Sequence, residues 1–359
     1  MNLTKYKLGD LIVQRREKNN NYDVPIRGVS KDGFIRAKQQ DADTSIYNVF
    51  YKYDFVFNPA RMELNSIALN LEYDKALCSS LYEVFFVKDE SIVLPEFLNL
   101  HIKRDEFARH CDYIGLGSAR EYCRFANIAE FDILLPPIEV QQEIVEADRL
   151  IRKRIRANEQ MISSLESTAQ ALYRKMFVDG IDKENLPDGW VNKSLSEIAT
   201  LKAGGDKPIE FSEVRTGCYN IPVYANGIEN KGIFGYTTRP TIKSKSITIS
   251  ARGTIGYCFL RKQPYVPIVR LIVVIPNDES YAQYLFYYLD AMNIKGSGSV
   301  QSQLTVPDME RFEIVLPTEE LIKEFSKQTE IIDKSIATKE LENEKLTELQ
   351  SLLLAKMGQ

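Results

Sequence analysis

The stretch FDILLPPIEVQQE at residues 131–143 has a close copy, FEIVLPTEELIKE, at residues 312–324. Shifting the sequence by 181 residues places 117–176 on 298–357 without a gap. Self-similarity at a fixed period is typical of a repeated architecture. The sequence therefore predicts two copies of one unit, each made of a variable segment followed by a better preserved tail.

Each tail is predicted to be one long helix. No Gly or Pro occurs between Pro137 and Gly180, and apolar residues recur at alternating spacings of four and three, which is typical of a coiled-coil seam. Pro136-Pro137 prevents an earlier start, and about 40 residues give a rod of about 60 Å. The predicted seam residues are Ile151, Ile155, Asn158, Ile162, Leu165 and Leu172 in the first helix, and Ile332, Ile336, Leu346 and Leu353 in the second.

An amphipathic helix of this length needs a partner to cover its seam. A second copy of the chain could supply it, which would give a homodimeric coiled coil. The two helices of one chain can instead pair antiparallel, and we favour this interpretation, because repeats that cannot bury a face alone commonly bury it against each other.

The variable segments are predicted to be mixed α/β modules. Strand-like runs bounded by turn residues lie at 47–57, 81–88, 246–250, 257–260 and 269–275, and helical runs lie at 95–107 and 280–292. The expected fold class is α+β, with two mixed α/β domains separated by two long helices that form an antiparallel coiled coil with a pseudo-twofold repeat. The predicted boundaries are 1–136 (module 1), 137–180, 181–317 (module 2) and 318–359.

Composition argues against several classes of protein. The five cysteines form no CxxC pair, which fits reduced thiols better than a disulfide framework or a zinc site. No signal peptide or apolar span of membrane length is evident, so we expect a cytoplasmic protein without a membrane partner. Both histidines, His101 and His110, fall in a predicted helix and are interpreted as surface residues, so no metal site is expected.

Motifs for catalysis are incomplete. FNPARM at 57–62 resembles the NPPY motif of amino-methyltransferases, but Ala60 and Arg61 stand where a proline and an aromatic ring should hold the target base. LKAGGDKP at 201–208 lacks the spacing of a P-loop, and IGLGS at 114–118 is a lone GxG. The sequence therefore predicts no catalytic residues and a protein that is not itself an enzyme.

Charge distribution says more about partners than the net charge of −4. Residues 187–295 hold 13 Lys or Arg against 9 Asp or Glu, whereas module 1 is close to balanced. Long cationic side chains beside glycine can reach phosphates and guanine edges, and amides can pair with adenine edges. The candidates are the cluster Lys243, Lys245, Arg252, Arg261 and Lys262 around ISARGTIG (249–256), together with Asn226 and Gln301 or Gln303; the alternative for each is a solvated loop residue.

The order of motifs along the whole chain resembles the specificity subunit of type I restriction-modification systems. The second half carries GWVNKSLSEI, YANGI, ISARGTIG, GSGSVQSQL and FEIVLP, and the first half carries KLGD, NPARM, LGSAREY and LLPPIEVQQEI. The resemblance implies two target recognition domains, each reading one half of a bipartite target in double-stranded DNA, with the helices fixing the unread gap.

The resemblance also implies partners: two methyltransferase (modification) subunits and, in the full complex, restriction/translocase subunits. This chain would direct those partners to adenine N6 methylation or ATP-dependent cleavage. The partners would bind S-adenosylmethionine, ATP and Mg, and this chain would bind no cofactor. An alternative from another class is a coiled-coil scaffold protein with two protein-binding modules. The predicted DNA-binding residues are Arg27, Lys31, Arg61, Ser118, Arg120, Asn226, Lys243, Lys245, Arg252, Thr254, Ser299, Gln301 and Gln303.

Overall fold

The computed structural model describes residues 3–31, 33–37, 43–115, 122–182, 184–292 and 303–357. The chain divides into two compact units. Unit 1 contains the residues up to Asn158 together with those from Leu341 onward, and unit 2 contains Glu159–Glu340. Each unit therefore holds one module and a part of both long helices. The division at 136, 180 and 317 expected from the sequence remains a prediction.

Module 1 in unit 1 is a mixed α/β domain. Its strands are β1 (Thr4–Lys7), β2 (Ile12–Arg15), β3 (Arg27–Ser30), β4 (Gly33–Arg36), β5 (Asn48–Tyr51), β6 (Phe55–Phe57), β7 (Ile67–Leu69), β8 (Lys75–Cys78), β9 (Glu83–Val87) and β10 (Asp132–Leu135). Its helices are α1 (Leu8–Leu11), α2 (Pro95–Ile102), α3 (Asp105–Gly115) and α4 (Phe125–Ala129), with 3₁₀ helices at Thr44–Ile46 and Pro59–Leu64. Aromatic and aliphatic side chains from β6, β9 and α2 fill its main core.

Module 2 in unit 2 has the same kind of architecture. Its strands are β11 (Val191–Ser194), β12 (Ala199–Ala203), β13 (Ile221–Tyr224), β14 (Ile233–Thr237), β15 (Ser246–Ile249), β16 (Cys258–Arg261), β17 (Val266–Pro267), β18 (Ile272–Pro276) and β19 (Glu313–Leu316). Its helices are α6 (Leu195–Ile198), α7 (Tyr281–Ala291) and α8 (Val306–Glu310), with a 3₁₀ helix at Glu229–Gly232. The long helices are α5 (Ile138–Phe177) and α9 (Glu319–Lys356).

Sheet topology confirms the duplication. The four-stranded sheet of unit 1 has the order β2-β9-β6-β7, and that of unit 2 has the order β12-β18-β15-β16. In both sheets the first strand lies beside the fourth, followed by the second and the third, and all neighbours are antiparallel. A separate antiparallel pair precedes each long helix, β1 with β10 and β11 with β19. The predicted fold class is therefore confirmed.

The two long helices pack together in antiparallel fashion. In unit 1 the Nε2 of Gln350 donates to Asp148 at 2.7 Å, and further along α5 the amide of Asn158 donates to Asn343 at 2.9 Å. From Asp148 to Asn158 the contact moves forward along α5, while from Gln350 to Asn343 it moves backward along α9. The two helices are therefore antiparallel. In unit 2, Tyr173 near the end of α5 contacts Phe325 near the start of α9, with ring centroids 6.1 Å apart.

None of the ten predicted seam residues is exposed. Ile151 and Asn158 are buried. The other eight are half-buried: Ile155, Ile162, Leu165, Leu172, Ile332, Ile336, Leu346 and Leu353. The alternating spacing of four and three residues thus places one stripe of side chains on each helix against its neighbours, as the coiled-coil pattern requires.

The junction between each module and its helix differs in chemistry between the two units. In unit 1, Gln141 is fully buried; its Nε2 donates to the carbonyls of Ile92 (2.9 Å) and Pro136 (3.0 Å), and its Oε1 accepts from Leu94 N–H (3.1 Å). The repeat places Ile322 at the equivalent position in unit 2, where it is fully buried in the apolar core. One junction is held by an amide and the other by apolar packing.

Several local expectations were wrong. The predicted helix at 95–107 is broken at Lys103–Arg104 into α2 and α3, and the strand at 47–57 is broken before Asp54, where Tyr53 has a φ of 67°. The strand expected at 269–275 begins only at Ile272. His101 is not a surface residue: it is only 4% exposed, and burial together with the charge of Arg104 lowers its pKa to about 4.

Candidate nucleic-acid interface

A cleft of about 740 Å³ opens in unit 1, and we call it the module 1 cleft. Among the described residues that line it, Glu83 is the one carboxylate. The cationic lining residues are Arg15, Arg16, Lys18, Arg27, Arg36, Arg61 and Arg124. Glu83 and, beside Arg15, the buried Asp54 offset two of these seven charges. The remaining positive excess in one concavity produces a field that attracts a polyanion, because low-dielectric walls focus the potential of a cleft.

The carboxylate of Glu83 is already occupied. It is mostly buried and accepts hydrogen bonds from the backbone N–H of Phe125 at 2.7 Å and from the Nε2 of Gln14 at 3.1 Å. It also forms an ion pair with Arg124 at 3.3 Å, while the Arg124 side chain stays 62% exposed. Glu83 therefore holds Arg124 in place at the start of α4 and leaves little free negative charge in the cleft.

Two arginines of the cleft are fixed by aromatic rings. Arg15 forms two hydrogen bonds to Asp54, at 2.7 and 3.1 Å, and its guanidinium lies 4.5 Å from the ring centre of Phe86. Burial raises the pKa of Asp54 even with this guanidinium beside it. Arg27 donates from Nε to the hydroxyl of Tyr73 at 2.8 Å and stacks over the same ring. Both side chains therefore have a defined position before any ligand arrives.

Other cations extend into solvent. Lys18 donates to the side chain of Asn48 at 2.7 Å and remains exposed. Arg61 lies in the 3₁₀ helix that follows β6 and that Asn58 caps. It is exposed, with no side-chain hydrogen bond or ion pair to another described residue. Fixed and exposed cations thus lie in the same cleft.

The sequence predicted two members of this cleft, Arg27 and Arg61. Lys31 is exposed at the β3–β4 turn, outside the cleft lining, and Ser118 and Arg120 lie outside the described residues. Sequence reasoning missed the remaining cations and the lining tyrosines Tyr47, Tyr82 and Tyr122. The run QRREK at 14–18 was a usable signal, because it places three cations directly at the end of β2.

In module 2 the structure brings two predicted residues into contact. Arg252 donates from Nε and Nη2 to the side-chain oxygen of Gln303, at 3.1 and 2.7 Å. Arg252 is exposed and lies on the turn after β15, the position that Arg61 occupies after β6. Because a guanidinium carries five N–H groups, three remain available on the outer side of Arg252. The predicted residues Ser299 and Gln301 lie outside the described residues.

Asn226 connects two turns of module 2. Its Oδ1 accepts from the backbone N–H of Ala251 at 2.7 Å, and its Nδ2 donates to the carbonyl of Val269 at 2.7 Å. Thr254 lies on the same turn as Ala251, with its hydroxyl 3.5 Å from that of Ser250. The amide of Asn226 therefore holds backbone in place, and its pairing with an adenine edge remains a prediction.

Several cations of module 2 point toward α9 or into the core. Lys262 pairs with Asp333 at 2.7 Å, Lys231 pairs with Glu340 at 3.0 Å, and the charge of Lys245 contributes, after that of Lys334, to a lowered pKa of Glu330. Lys243 is exposed before β15.

Arg261 is buried, in contrast to the exposed cluster expected from the sequence. It donates to Thr248 and to the carbonyl of Lys231, and its guanidinium lies 3.5 Å from the ring centre of Tyr224. Arg261 therefore stabilises module 2 from within, and Lys262, although exposed, is paired with a carboxylate of α9.

The sequence matches a family model described as "Type I restriction modification DNA specificity domain" twice, at residues 3–167 and 187–351. The chain belongs to this family. The two matches agree with the duplication in sequence and sheet topology, so the chain is a type I restriction-modification specificity subunit with two DNA specificity domains. The resemblance drawn from the motifs is confirmed.

Relatives of the specificity family support this membership. A protein of Mycoplasma pneumoniae named as a type I specificity subunit is 30% identical over 333 residues, which is 89% of this chain and 86% of that protein. The HindI specificity subunit of Haemophilus influenzae is 22% identical over 354 residues, with 74% of this chain and 77% of that protein covered.

A solved structure shares the fold of this specificity subunit. The S subunit of a type I restriction-modification system from M. genitalium superposes with a TM-score of 0.62 at 15% identity, covering 100% of this chain and 96% of that one. At this identity the likeness shows the fold alone. Within the described part of the chain, no helix has the length and apolar character needed to cross a bilayer.

Proposed function

We propose that this chain reads a bipartite duplex DNA target, with one half-site for each module, and that it contributes no catalytic group. The observation that supports this most is the module 1 cleft, in which seven cations outnumber the two carboxylates, Glu83 and Asp54, that pair with them. Phosphate contacts by Lys and Arg supply most of the affinity for DNA and fix the register of the protein on the duplex. Fixed arginines such as Arg15 and Arg27 reduce the entropy lost on binding.

In module 2 we assign base reading to Arg252. Gln303 takes up the Nε edge of the guanidinium, so the outer edge of the fork can donate to the O6 and N7 acceptors of guanine. Gln303 would then orient Arg252 instead of contacting a base itself. The long helices α5 and α9 would set the unread gap between the half-sites.

We further propose two methyltransferase subunits as partners, one for each copy of the repeated unit, with restriction/translocase subunits joining in the full complex. The outcome of target recognition would be adenine N6 methylation or ATP-dependent cleavage. S-adenosylmethionine, ATP and Mg would be bound by those subunits. The internal repeat supports a pair of like partners, because equivalent surfaces occur twice in one chain.

The proposal is tested by selecting duplexes from a randomised pool with the full chain and its methyltransferase partner, at several salt concentrations. We expect a selected sequence with two conserved halves and an affinity that falls steeply with salt. Arg61→Ala should lower the slope of log affinity against log salt by about 1, since one phosphate contact is lost. Lys52→Ala is the matched control, because Lys52 is an exposed cation of the same module outside the cleft lining.

For module 2, Arg252→Ala should relax selection in one half of the target while the complex with the partner still assembles. Arg239→Ala removes an exposed arginine elsewhere in module 2 and should leave the selected sequence unchanged. If the wild-type chain selects no sequence and binds duplexes without salt dependence, the scaffold interpretation replaces this proposal.

A further inference from the structure

A two-residue turn in module 2 has a backbone conformation that its residue types disfavour. Val269 and Arg270 both lie in the left-handed region, with φ values of 52° and 57°. For a β-branched residue such as valine this conformation is a rare outlier, and two such residues in succession are rarer still. The sequence predicted a strand here, because it contains no glycine or asparagine to indicate a turn.

The turn is held by hydrogen bonds from its neighbours. The N–H of Val269 donates to the carbonyl of Gly205 at 2.9 Å, and the N–H of Arg270 donates to the carbonyl of Gly204 at 3.0 Å. The side-chain amide of Asn226 donates to the carbonyl of Val269, and the N–H of Ile268 donates to the backbone carbonyl of Tyr224. Surrounding structure that determines a strained conformation so fully is typical of functional sites.

The Gly-Gly pair of LKAGGDKP explains how the turn can come so close. A Cβ on Gly204 would lie 2.8 Å from the backbone N of Ile268 and 2.9 Å from its carbonyl carbon and oxygen, whereas a Cβ on Gly205 would meet nothing within 4 Å. Gly204 is therefore required for close backbone approach. The LKAGGDKP motif, which lacks the spacing of a phosphate-binding loop, therefore supplies the two carbonyls that bind the strained turn.

The side chains of the turn contribute little to the fold. Val269 is 49% exposed, and Arg270 is exposed with no side-chain hydrogen bond or ion pair to any other residue that the structure describes. Packing therefore does not account for the strained conformation. The same Asn226 that binds the Val269 carbonyl also binds the N–H of Ala251, so this turn is joined to the turn that carries Arg252.

We propose that Val269 and Arg270 form a specificity-determining element for duplex DNA, in which Arg270 donates to a guanine edge and Val269 contacts an adjacent thymine methyl. This inference rests on the proposed function and extends it to residues outside the predicted set. A base contact, more than a phosphate contact, requires a fixed side-chain origin, because hydrogen-bond donors must match one edge pattern in the major groove. An exposed valine beside the arginine adds the apolar group that a thymine methyl accepts.

Duplex selection from a randomised pool with the full chain tests this element. Arg270→Ala should lose selectivity at one or two adjacent base pairs in one half-site and weaken binding of the wild-type-selected duplex about tenfold, as expected for one lost base contact. Binding of an unrelated duplex should change by less than about twofold. Arg239→Ala is the control with the same change of charge.

Two results would overturn the proposal. Equal weakening on selected and unrelated duplexes would make Arg270 a phosphate contact, and an unchanged selected sequence would remove it from the interface. Failure of the proposed function is distinguishable, because the wild-type chain itself would then select no sequence.

Glycine variants test the strained backbone separately. Val269→Gly should raise the melting temperature, because glycine adopts positive φ without steric cost, and should still broaden selection at the same base pairs. Gly204→Ala should displace the turn and broaden selection at these base pairs, whereas Gly205→Ala should select the wild-type sequence. A lower melting temperature for Val269→Gly, or identical selection by the Gly204 and Gly205 variants, would contradict the role assigned to the turn.

Discussion

Modules 1 and 2 share one sheet order and use their cations in opposite ways. Module 1 gathers seven cationic side chains around a concave cleft, and its buried acids serve to hold the arginines in place. Module 2 directs Lys231 and Lys262 to carboxylates on α9 and buries Arg261. It leaves Arg252 and Arg270 exposed on two turns joined by Asn226.

The difference shows that the position of charges matters more than their number. Module 2 has the larger excess of Lys and Arg in sequence, yet it is module 1 that gathers seven cations around one cleft. An ion pair with a neighbouring helix removes a cation from the surface that a phosphate can reach. We therefore expect module 1 to contribute more salt-dependent affinity and module 2 to depend more on individual base contacts.

The two junctions between module and helix also differ between the units, and exchanging their buried residue types should have the largest effect on stability. Gln141→Ile removes partners from three backbone groups in unit 1, and Ile322→Gln places an unsatisfied amide in the apolar core of unit 2. At about 1–3 kcal/mol for each unsatisfied buried group, we expect each variant to lose about 3 kcal/mol in the free energy of unfolding. Denaturant unfolding measures it.

The neighbouring exposed residue supplies the control for this exchange. Gln142→Ile changes the same residue type on the solvent side of α5 and should lose less than about 0.5 kcal/mol. A Gln141→Ile variant as stable as the wild type would show that the amide is not what holds the junction in unit 1.

Acid should distinguish the two units, since both histidines of the chain lie in module 1. The fold keeps His101 neutral by lowering its pKa to about 4, whereas the unfolded chain binds a proton near pH 6.5. The unfolded state therefore binds more protons between these values, so the free energy of unfolding falls as the pH falls from 6.5 toward 4. The loss attributable to His101 is at most about 3 kcal/mol.

Hydrogen exchange on peptides of unit 1 measures this loss, and the fluorescence of Trp190, the one tryptophan of the chain, reports on module 2. His101→Leu should remove the part of the pH dependence that lies between pH 4 and 6.5. If this variant and the wild type lose protection equally over that range, other groups in unit 1 control the acid response.

His101 also shows where sequence reasoning reaches its limit. The pattern of Gly, Pro and apolar residues located the start of α5 within one residue of Pro137, because proline and glycine act locally. The burial of His101 depends on tertiary packing. The break after α2 falls at Lys103–Arg104, which are not residues that signal the end of a helix. The module 1 cleft draws its cations from β2, β3, β4, the 3₁₀ helix after β6 and the segment before α4, so no short window of sequence contains it.

The seam of the helix pair gives a smaller difference between the units. Asn158 donates to Asn343 in unit 1, whereas the repeat places Lys339 and Ile162 at the corresponding positions in unit 2. We expect Asn158→Leu alone to lose about 1–2 kcal/mol, because Asn343 is left without its partner. Asn158→Leu with Asn343→Leu should recover this loss, because replacing both polar partners by apolar groups is often neutral.

A double-mutant cycle in denaturant measures the coupling between these two asparagines. A paired amide in a coiled-coil seam specifies the register of the helices, so the double variant should also populate alternative registers, detectable by cysteine crosslinking between α5 and α9. Additive effects of the two single changes would show that the amides do not act as a pair.

The cations that face α9 give the smallest expected effect. Lys262→Ala removes an ion pair with Asp333 in which the lysine side chain is 40% exposed, so the free energy of unfolding should fall by less than about 1 kcal/mol. The salt slope of DNA binding should remain that of the wild type, in contrast to the decrease of about 1 expected for Arg61→Ala. A slope that falls equally for both variants would mean that Lys262 leaves the helix to bind phosphate, and the contrast in charge use between the modules would then disappear.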